Sequence, residues 1–237
     1  MRRHFVHFLW GSLLAILGLV FVFFISVWNG WVGYMPDMDE LSNPIDKFAS
    51  QVYSSDQQLI GTWNADNNNR VAIDYNGLSP HLVHALVATE DERFYEHSGV
   101  DFIALGRAVV KRGVMGQASA GGGSTITQQL AKQLFSEKAH STVERLLQKP
   151  IEWIIAVKLE RHFTKEEILA MYFNYFDFLH NAVGIKRAAN VYFNKEPRKL
   201  TVTEAAMLVG LCKNPSMFNP LRYPERCKQR RNVVLMQ

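Results

Sequence analysis

The stretch Ala88-Thr-Glu-Asp-Glu-Arg-Phe-Tyr-Glu-His-Ser-Gly99 and its companion Gly121-Gly-Gly-Ser-Thr-Ile-Thr-Gln-Gln-Leu-Ala-Lys132 decide how this chain is read. The first closes an apolar helical run with a cluster of acids, an aromatic pair and a histidine. The second is a glycine turn that opens into a helix whose first residues are hydroxyls and amides. A helix N-terminus presents unpaired N–H groups and a partial positive charge, so the second stretch is a ready anion site. A glycine loop with ordinary Ser or Thr capping has the same composition, and the segment alone does not separate the two. Taken together, the stretches suggest a carboxylate facing a polar, anion-tolerant pocket.

Glu90 and Asp91 stand at the end of the apolar face of the first run. A carboxylate in such a place is partly desolvated, which suits it to take protons near neutral pH, although most single glutamates are solvated or in surface ion pairs. His97 beside Phe94 and Tyr95 reads as a packed, hydrogen-bonded core histidine. Further on, Lys149-Pro-Ile-Glu152 sets a cation and a carboxylate about one helical turn apart, on one face if the helix is continuous. A surface salt bridge, worth under ~1 kcal/mol, is the plainer reading of that pair. Pro150 is expected to kink or restart its helix at this point.

Outward from these stretches, the pattern is helical from Ser79 on. Ser79-Pro80 is an N-cap followed by an N1 proline, and Leu82, Val83, Leu86 and Val87 form the apolar stripe that leads to Thr89. A second helix is expected over Phe102 to Val110, ending near Gly113, and a third after Gly123. Ser141-x-x-Glu144, Thr164-x-x-Glu167 and Thr201-x-x-Glu204 each fit a capping box and mark helix starts. Pro224 to Gln237 forms a basic helix with an apolar stripe of Val233, Val234 and Met236, and a longer protein is expected to continue beyond Gln237. Upstream, Ala49 to Tyr53, Leu59 to Trp63 and Arg70 to Ile73 have strand character, separated by polar turns.

Residues Phe8 to Val27 carry no charge, and about 20 such residues cross a bilayer core. Arg2 and Arg3 precede them, which places the N-terminus in the cytoplasm and the rest outside. A cleaved leader would have a shorter apolar run and a small-residue cleavage site, whereas this run ends in Ser-Val-Trp-Asn-Gly-Trp31. Trp28, Trp31 and Tyr34 suit an aromatic belt at the membrane surface. The net charge of +4 is mild and no aromatic-interleaved basic patch exists, so nucleic acid is not expected as a partner. Cys212 and Cys227, the two cysteines, are read as unpaired, Cys212 as a buried thiol in the apolar run Ala205 to Leu211.

Four segments in order carry a resemblance. Ala-Thr-Glu-Asp-x-x-Phe-x-x-His-x-Gly, then Gly-Gly-Ser-Thr-Ile-Thr-Gln-Gln-Leu-Ala-Lys, then Lys-x-x-Glu, then Lys165-Glu-Glu-Ile-Leu-x-x-Tyr-x-Asn174 closely resemble the peptidoglycan glycosyltransferase domain. That domain belongs to class A penicillin-binding proteins and to monofunctional glycosyltransferases. Val183-Gly-Ile-x-x-Ala-Ala-x-x-Tyr-Phe193 and Leu200-Thr-x-x-Glu-Ala-Ala-x-Leu208 extend the resemblance, which runs from about Ser79 to Gln237. It implies a mainly α, lysozyme-like domain over 79–237. Residues 1–34 would be the cytoplasmic tip and transmembrane helix, and 35–78 a linker with a short β-hairpin or small sheet.

The resemblance also implies polymerisation of lipid II into β-1,4 glycan strands, with release of undecaprenyl pyrophosphate and inversion at the anomeric carbon. Glu90 then matches the general base, and Glu152 the second essential carboxylate near the leaving pyrophosphate. Lys132 and Lys149 match contacts to the donor's phosphates and sugar, and Ser124, Thr125, Gln128 and Gln129 its polar wall. Asp91, Phe94 and His97 join the substrate-binding set as support of the first motif. A divalent ion, Mg or Mn, near Glu152 is possible by resemblance, and no organic cofactor is expected. The growing glycan chain, the bilayer and cell-wall synthesis proteins are the implied partners, at the bacterial inner membrane with the catalytic domain on the periplasmic side.

Two departures matter: Gln148 stands where the family usually has arginine, and Gln133 where it has asparagine. A guanidinium is a bidentate phosphate ligand, so Arg145, three residues before Gln148, is the candidate substitute. Val109, Val110, Val114 and Met115, interleaved with Arg107, Lys111 and Arg112, read equally as a membrane-surface stretch or as core. A lytic enzyme of the same fold class and a non-catalytic cell-wall scaffold are the competing functions. The second carboxylate and the cations argue against the first, and the presence of both carboxylates argues against the second.

Overall fold

The computed structural model describes residues 2–37, 41, 50–56, 59–63, 70–113, 123–135 and 141–237. The expectations on Ala49, the linker stretches 38–40, 42–48 and 57–58, the 64–69 turn, Val114, Met115, Gly121 and Gly122 lie outside them. Helix α1, Arg2–Trp28, is followed by strands β1, Ser50–Tyr53, and β2, Leu59–Trp63, which pair antiparallel. Then come α2 (Pro80–Glu90), α3 (Phe102–Gly113), α4 (Ile126–Phe135) and α5 (Thr142–His162). They are followed by α6 (Lys165–Tyr175), α7 (Ile185–Phe193), α8 (Val202–Lys213) and α9 (Pro224–Leu235). The fold is mainly helical. Helix α1 is long and apolar enough to cross a membrane, with mean hydropathy 2.6 over its best window.

Helix starts follow the predicted caps. Ser79 accepts from the His81 N–H, and its own hydroxyl donates to the Leu200 carbonyl at 3.1 Å, which ties the start of α2 to the start of α8. Thr164 with Glu167 and Thr201 with Glu204 form reciprocal capping boxes. Helix α6 is buried along nearly its whole length and forms the centre of the core, with α4 and α5 packed around it. Helices α2, α8 and α9 pack on one another beside it.

Two expectations are corrected. Arg70 to Ile73 forms no strand; the segment is extended, and the Asn174 side-chain amide takes the place of a neighbouring strand. Asn174 Oδ1 accepts from the Ile73 N–H at 3.2 Å and Nδ2 donates to the Ile73 carbonyl at 2.8 Å. Of the kink or restart expected at Pro150, the restart does not occur: α5 runs through it from Thr142 to His162. A proline removes one i→i−4 hydrogen bond, and packing of α5 against α4 and α1 holds the remaining turns.

Candidate active site

Helix α2 ends at Glu90 because Asp91 leaves helical geometry, while its N–H still closes the last turn on Val87. The chain then folds back through 91–99. Asp91 is buried and accepts three bonds: from His97 Nε2 at 3.0 and 3.1 Å on its two oxygens, and from the Ile126 N–H at 3.0 Å. His97 Nδ1 accepts from the Gly99 N–H at 3.2 Å, so Nε2 carries the proton given to Asp91. Asp91 therefore anchors the N-terminus of α4 to the end of α2.

Gly99 makes the second anchor. Its φ of +95° lies in the left-handed region, and its backbone presses on Ala156 of α5, where a Cβ would stand 2.8 Å from the carbonyl carbon. The Gly99 carbonyl accepts from Thr125 Oγ1 at 2.6 Å and Gln128 Nε2 at 3.4 Å. Lys165 closes the loop from below. Its Nζ donates to the His97 carbonyl at 2.7 Å and to Glu160 Oε1 at 2.8 Å, and lies 4.2 Å from the Phe94 ring centroid. Phe94 is fully buried.

This framework puts Glu90 where three elements meet. Gln129 Nε2 on α4 donates to Glu90 Oε2 at 3.0 Å, and Arg230 Nη2 on α9 reaches Oε1 at 3.5 Å. The Tyr172 hydroxyl on α6 donates to Gln129 Oε1 at 3.0 Å. The Cys212 thiol lies beside this cluster; burial, then the Glu90 charge, pushes it above its ordinary value, so it stays protonated. Cys212 and Cys227 are both free, in keeping with their spacing and composition.

The second carboxylate is one segment away. Glu152 is buried, and Lys149 Nζ lies 2.6 Å from its Oε2 and 3.4 Å from Ser124 Oγ. The Lys149 side chain remains 42% exposed, so its ammonium keeps an open side. Ser124 meets the Glu152 pair and Gln129 meets Glu90, so both acids are reached from the six residues 124–129. A half-buried carboxylate can accept a proton there, and a half-exposed ammonium can neutralise an anion.

Not every predicted substrate contact faces the open side. Asp91, Phe94, His97, Thr125 and Gln128 are packed inside, and the polar ones are bonded to the 91–99 loop or α4. Lys132 on α4 and Arg145 on α5 are exposed, and among the described residues neither bonds Glu90 or Glu152. Arg145 lies four residues before Lys149 on the same helix face. Gln133, one of the two departures, has a buried Oε1 without a hydrogen-bond partner. Among the described residues no group of three His, Cys, Asp or Glu side chains could hold a metal ion. Glu152 faces an ammonium rather than further oxygens, so these side chains do not by themselves fit a divalent ion.

Arg230 was not legible as a site residue in the basic helix. Its signal lies in the spacing: Cys227 and Val234 are the buried residues of α9, and Arg230 falls between them on the same face. Tyr172 was visible only as part of a motif.

A family model described as Transglycosylase matches residues 56–237. The chain belongs to this transglycosylase family, the glycosyltransferase domain of class A penicillin-binding proteins. Among its relatives is a "Penicillin-binding protein 1A" of Aquifex aeolicus, 39% identical over 95% of this chain and 30% of the relative. Another protein of that name, from Escherichia coli, is 40% identical over 85% of this chain and 23% of its own length. A "Penicillin-binding protein 1F" of Bacillus subtilis is 36% identical over 94% and 29%. The chain thus spans under a third of the length of these relatives.

Proposed function

We propose that this chain polymerises lipid II into β-1,4-linked glycan at the outer face of the bacterial inner membrane. The observation that carries the reading is the placement of Glu90 and of the Glu152–Lys149 pair at the two ends of segment 124–129. The acceptor's 4-hydroxyl attacks the anomeric carbon of the lipid-linked chain, and Glu90 takes the hydroxyl proton as the new C–O bond forms. The bond to the pyrophosphate oxygen breaks, and undecaprenyl pyrophosphate leaves with the electron pair. Attack opposite the leaving group turns the α-linkage into β. Lys149, with Glu152 orienting its ammonium, offsets the developing phosphate charge in a partly water-excluded place. Among the described residues, the side chains around Glu152 do not supply the ligands of a divalent ion.

Residues 1–34 act as the cytoplasmic tip and anchor, 35–78 as the linker and 79–237 as the catalytic domain. A polyprenyl tail stays in the bilayer, since each buried CH₂ is worth ~0.8 kcal/mol, so an anchored site meets its substrate at the lipid surface. Purified protein incubated with lipid II is expected to yield glycan polymer and to leave intact sacculi undigested. Digestion of sacculi without polymerisation would establish the lytic alternative, and loss of polymerisation with retained binding of cell-wall proteins would favour a scaffold. Arg145 is assigned the phosphate contact that Gln148 cannot make. Arg145→Ala is therefore expected to cut polymerisation by about tenfold, the loss of one charge-assisted bond, and an unaffected variant removes the assignment.

A further inference from the structure

Behind Gln129 stands a fully buried phenol. Tyr172 packs edge-on to Phe173 at 5.8 Å and stacks on Phe176 at 5.9 Å between ring centroids, so its ring has one position. Its hydroxyl donates to Gln129 Oε1, and Gln129 Nε2 donates to Glu90 Oε2, each at 3.0 Å. A primary amide has an acceptor at one end and donors at the other. Turned over, the Gln129 amide would set its oxygen against the carboxylate and its nitrogen against the phenol proton. Burial, with Cys212 and Glu90 adding to it, raises the Tyr172 hydroxyl well above its ordinary value, so the donor keeps its proton. Cys212 Sγ lies 3.6 Å from the Leu208 carbonyl, to which it donates its own proton.

We infer that Tyr172 is a positioning residue for Glu90: through Gln129, its buried hydroxyl fixes which end of the amide meets the carboxylate, and so the direction in which Glu90 takes a proton. With Oε2 bonded to Gln129 and Oε1 near Arg230, the carboxylate is held from two sides. The inference rests on the proposed role of Glu90 as proton acceptor. It predicts a residue with no access to substrate whose loss acts on turnover rather than on binding.

The test uses the full chain and the variants Tyr172→Phe, Gln129→Met and their combination. With lipid II, Tyr172→Phe is expected to lower kcat by about tenfold and to change KM by less than about twofold. Added to Gln129→Met, the same change is expected to alter kcat by less than about twofold, because the path through Gln129 is already cut. A kcat for Tyr172→Phe within twofold of the unaltered chain, or effects that multiply in the combination, would overturn the inference. A second arm needs no activity. In the ¹⁵N-glutamine-labelled chain, the Gln129 side-chain N–H pair, assigned by its loss in Gln129→Met, is expected to exchange slowly and to become fast in Tyr172→Phe. Unchanged exchange in that variant would overturn the inference whether or not lipid II is polymerised. Should Tyr172→Phe fail to fold, the unaltered chain decides: slow exchange of the pair supports the inference, and exchange as fast as a surface glutamine overturns it.

Discussion

A methyl group on Gly99 would meet the carbonyl carbon and oxygen of Ala156 at 2.8 Å and the Val157 nitrogen at 2.9 Å, with φ already at +95°. Nothing there can give way, since all three atoms are helix backbone. Left-handed strain of about 1–2 kcal/mol adds to an overpacking cost of similar size, so Gly99→Ala is expected to destabilise by roughly 3 kcal/mol. Gly106 is the contrast: it lies in the interior of α3 with no heavy atom within 4 Å of a built Cβ. Gly106→Ala is expected to stabilise by up to about 1 kcal/mol. Urea unfolding of the two variants checks both signs, and a neutral Gly99→Ala would contradict the anchoring role of the loop. The family resemblance gave Glu90, Glu152, Lys149 and Ser124 their roles, since a lone acid or a lysine–glutamate pair reads locally as a solvated side chain or a surface salt bridge. It assigned Thr125 and Gln128 to the polar wall. Both turn inward to the Gly99 carbonyl, a bond that depends on a loop 26 and 29 residues away and leaves no local mark.

Helix starts were legible for a local reason: a hydroxyl and a carboxylate three residues apart satisfy each other's backbone partners whatever the rest of the chain does. Glu204 at the start of α8 illustrates the energetics. The Lys195 ammonium, 2.7 Å away, and the Thr201 N–H hold its carboxyl below the ordinary value of 4.5, against the effect of burial. A depressed folded value contributes stability above the ordinary carboxylate range, and that contribution is lost as pH falls through the folded value. The unaltered chain is therefore expected to melt higher than Glu204→Gln at pH 7, with the gap closing below about pH 4. A gap that persists at low pH would contradict the ion pair. The course of α5 through Pro150 was not legible, because packing of its flanking turns outweighs one lost bond.

Helix α3 bears on an ambiguity that periodicity alone leaves open. Phe102, Ile103, Val109 and Val110 are all exposed, and their spacing places them on one face. The described part of this stretch is therefore not core, which supports the membrane-surface reading. Replacing these four by serine in an anchor-free chain is expected to reduce binding to anionic lipid vesicles about tenfold or more, read by co-sedimentation. Undiminished binding would assign the contact to another face.

Across the whole molecule, the apolar N-terminal helix ends against the helix that carries Lys149 and Glu152. A Cβ on Gly33 would lie 2.5 Å from Ile151 Cδ1, and Ile151 is the neighbour of Glu152. Lys158 Nζ lies 5.2 Å from the centroid of a Trp28 ring, and burial lowers its ammonium below the ordinary value while Asp37 opposes. Helix α1 thus packs against the helix that carries the Glu152–Lys149 pair. Such contacts join residues more than a hundred positions apart, so the apolar run was legible in the sequence while its packing against α5 was not.

The central claim is that Glu90 takes the acceptor proton while Lys149 and Glu152 serve the leaving group. The most direct measurement is glycan formation by Glu90→Gln, which keeps the shape of the side chain but cannot accept a proton, with lipid II affinity measured in parallel. Polymerisation is expected to fall by about 10²–10⁴-fold with affinity changed less than threefold. A Glu90→Gln chain that still polymerises within tenfold of the original would contradict the account.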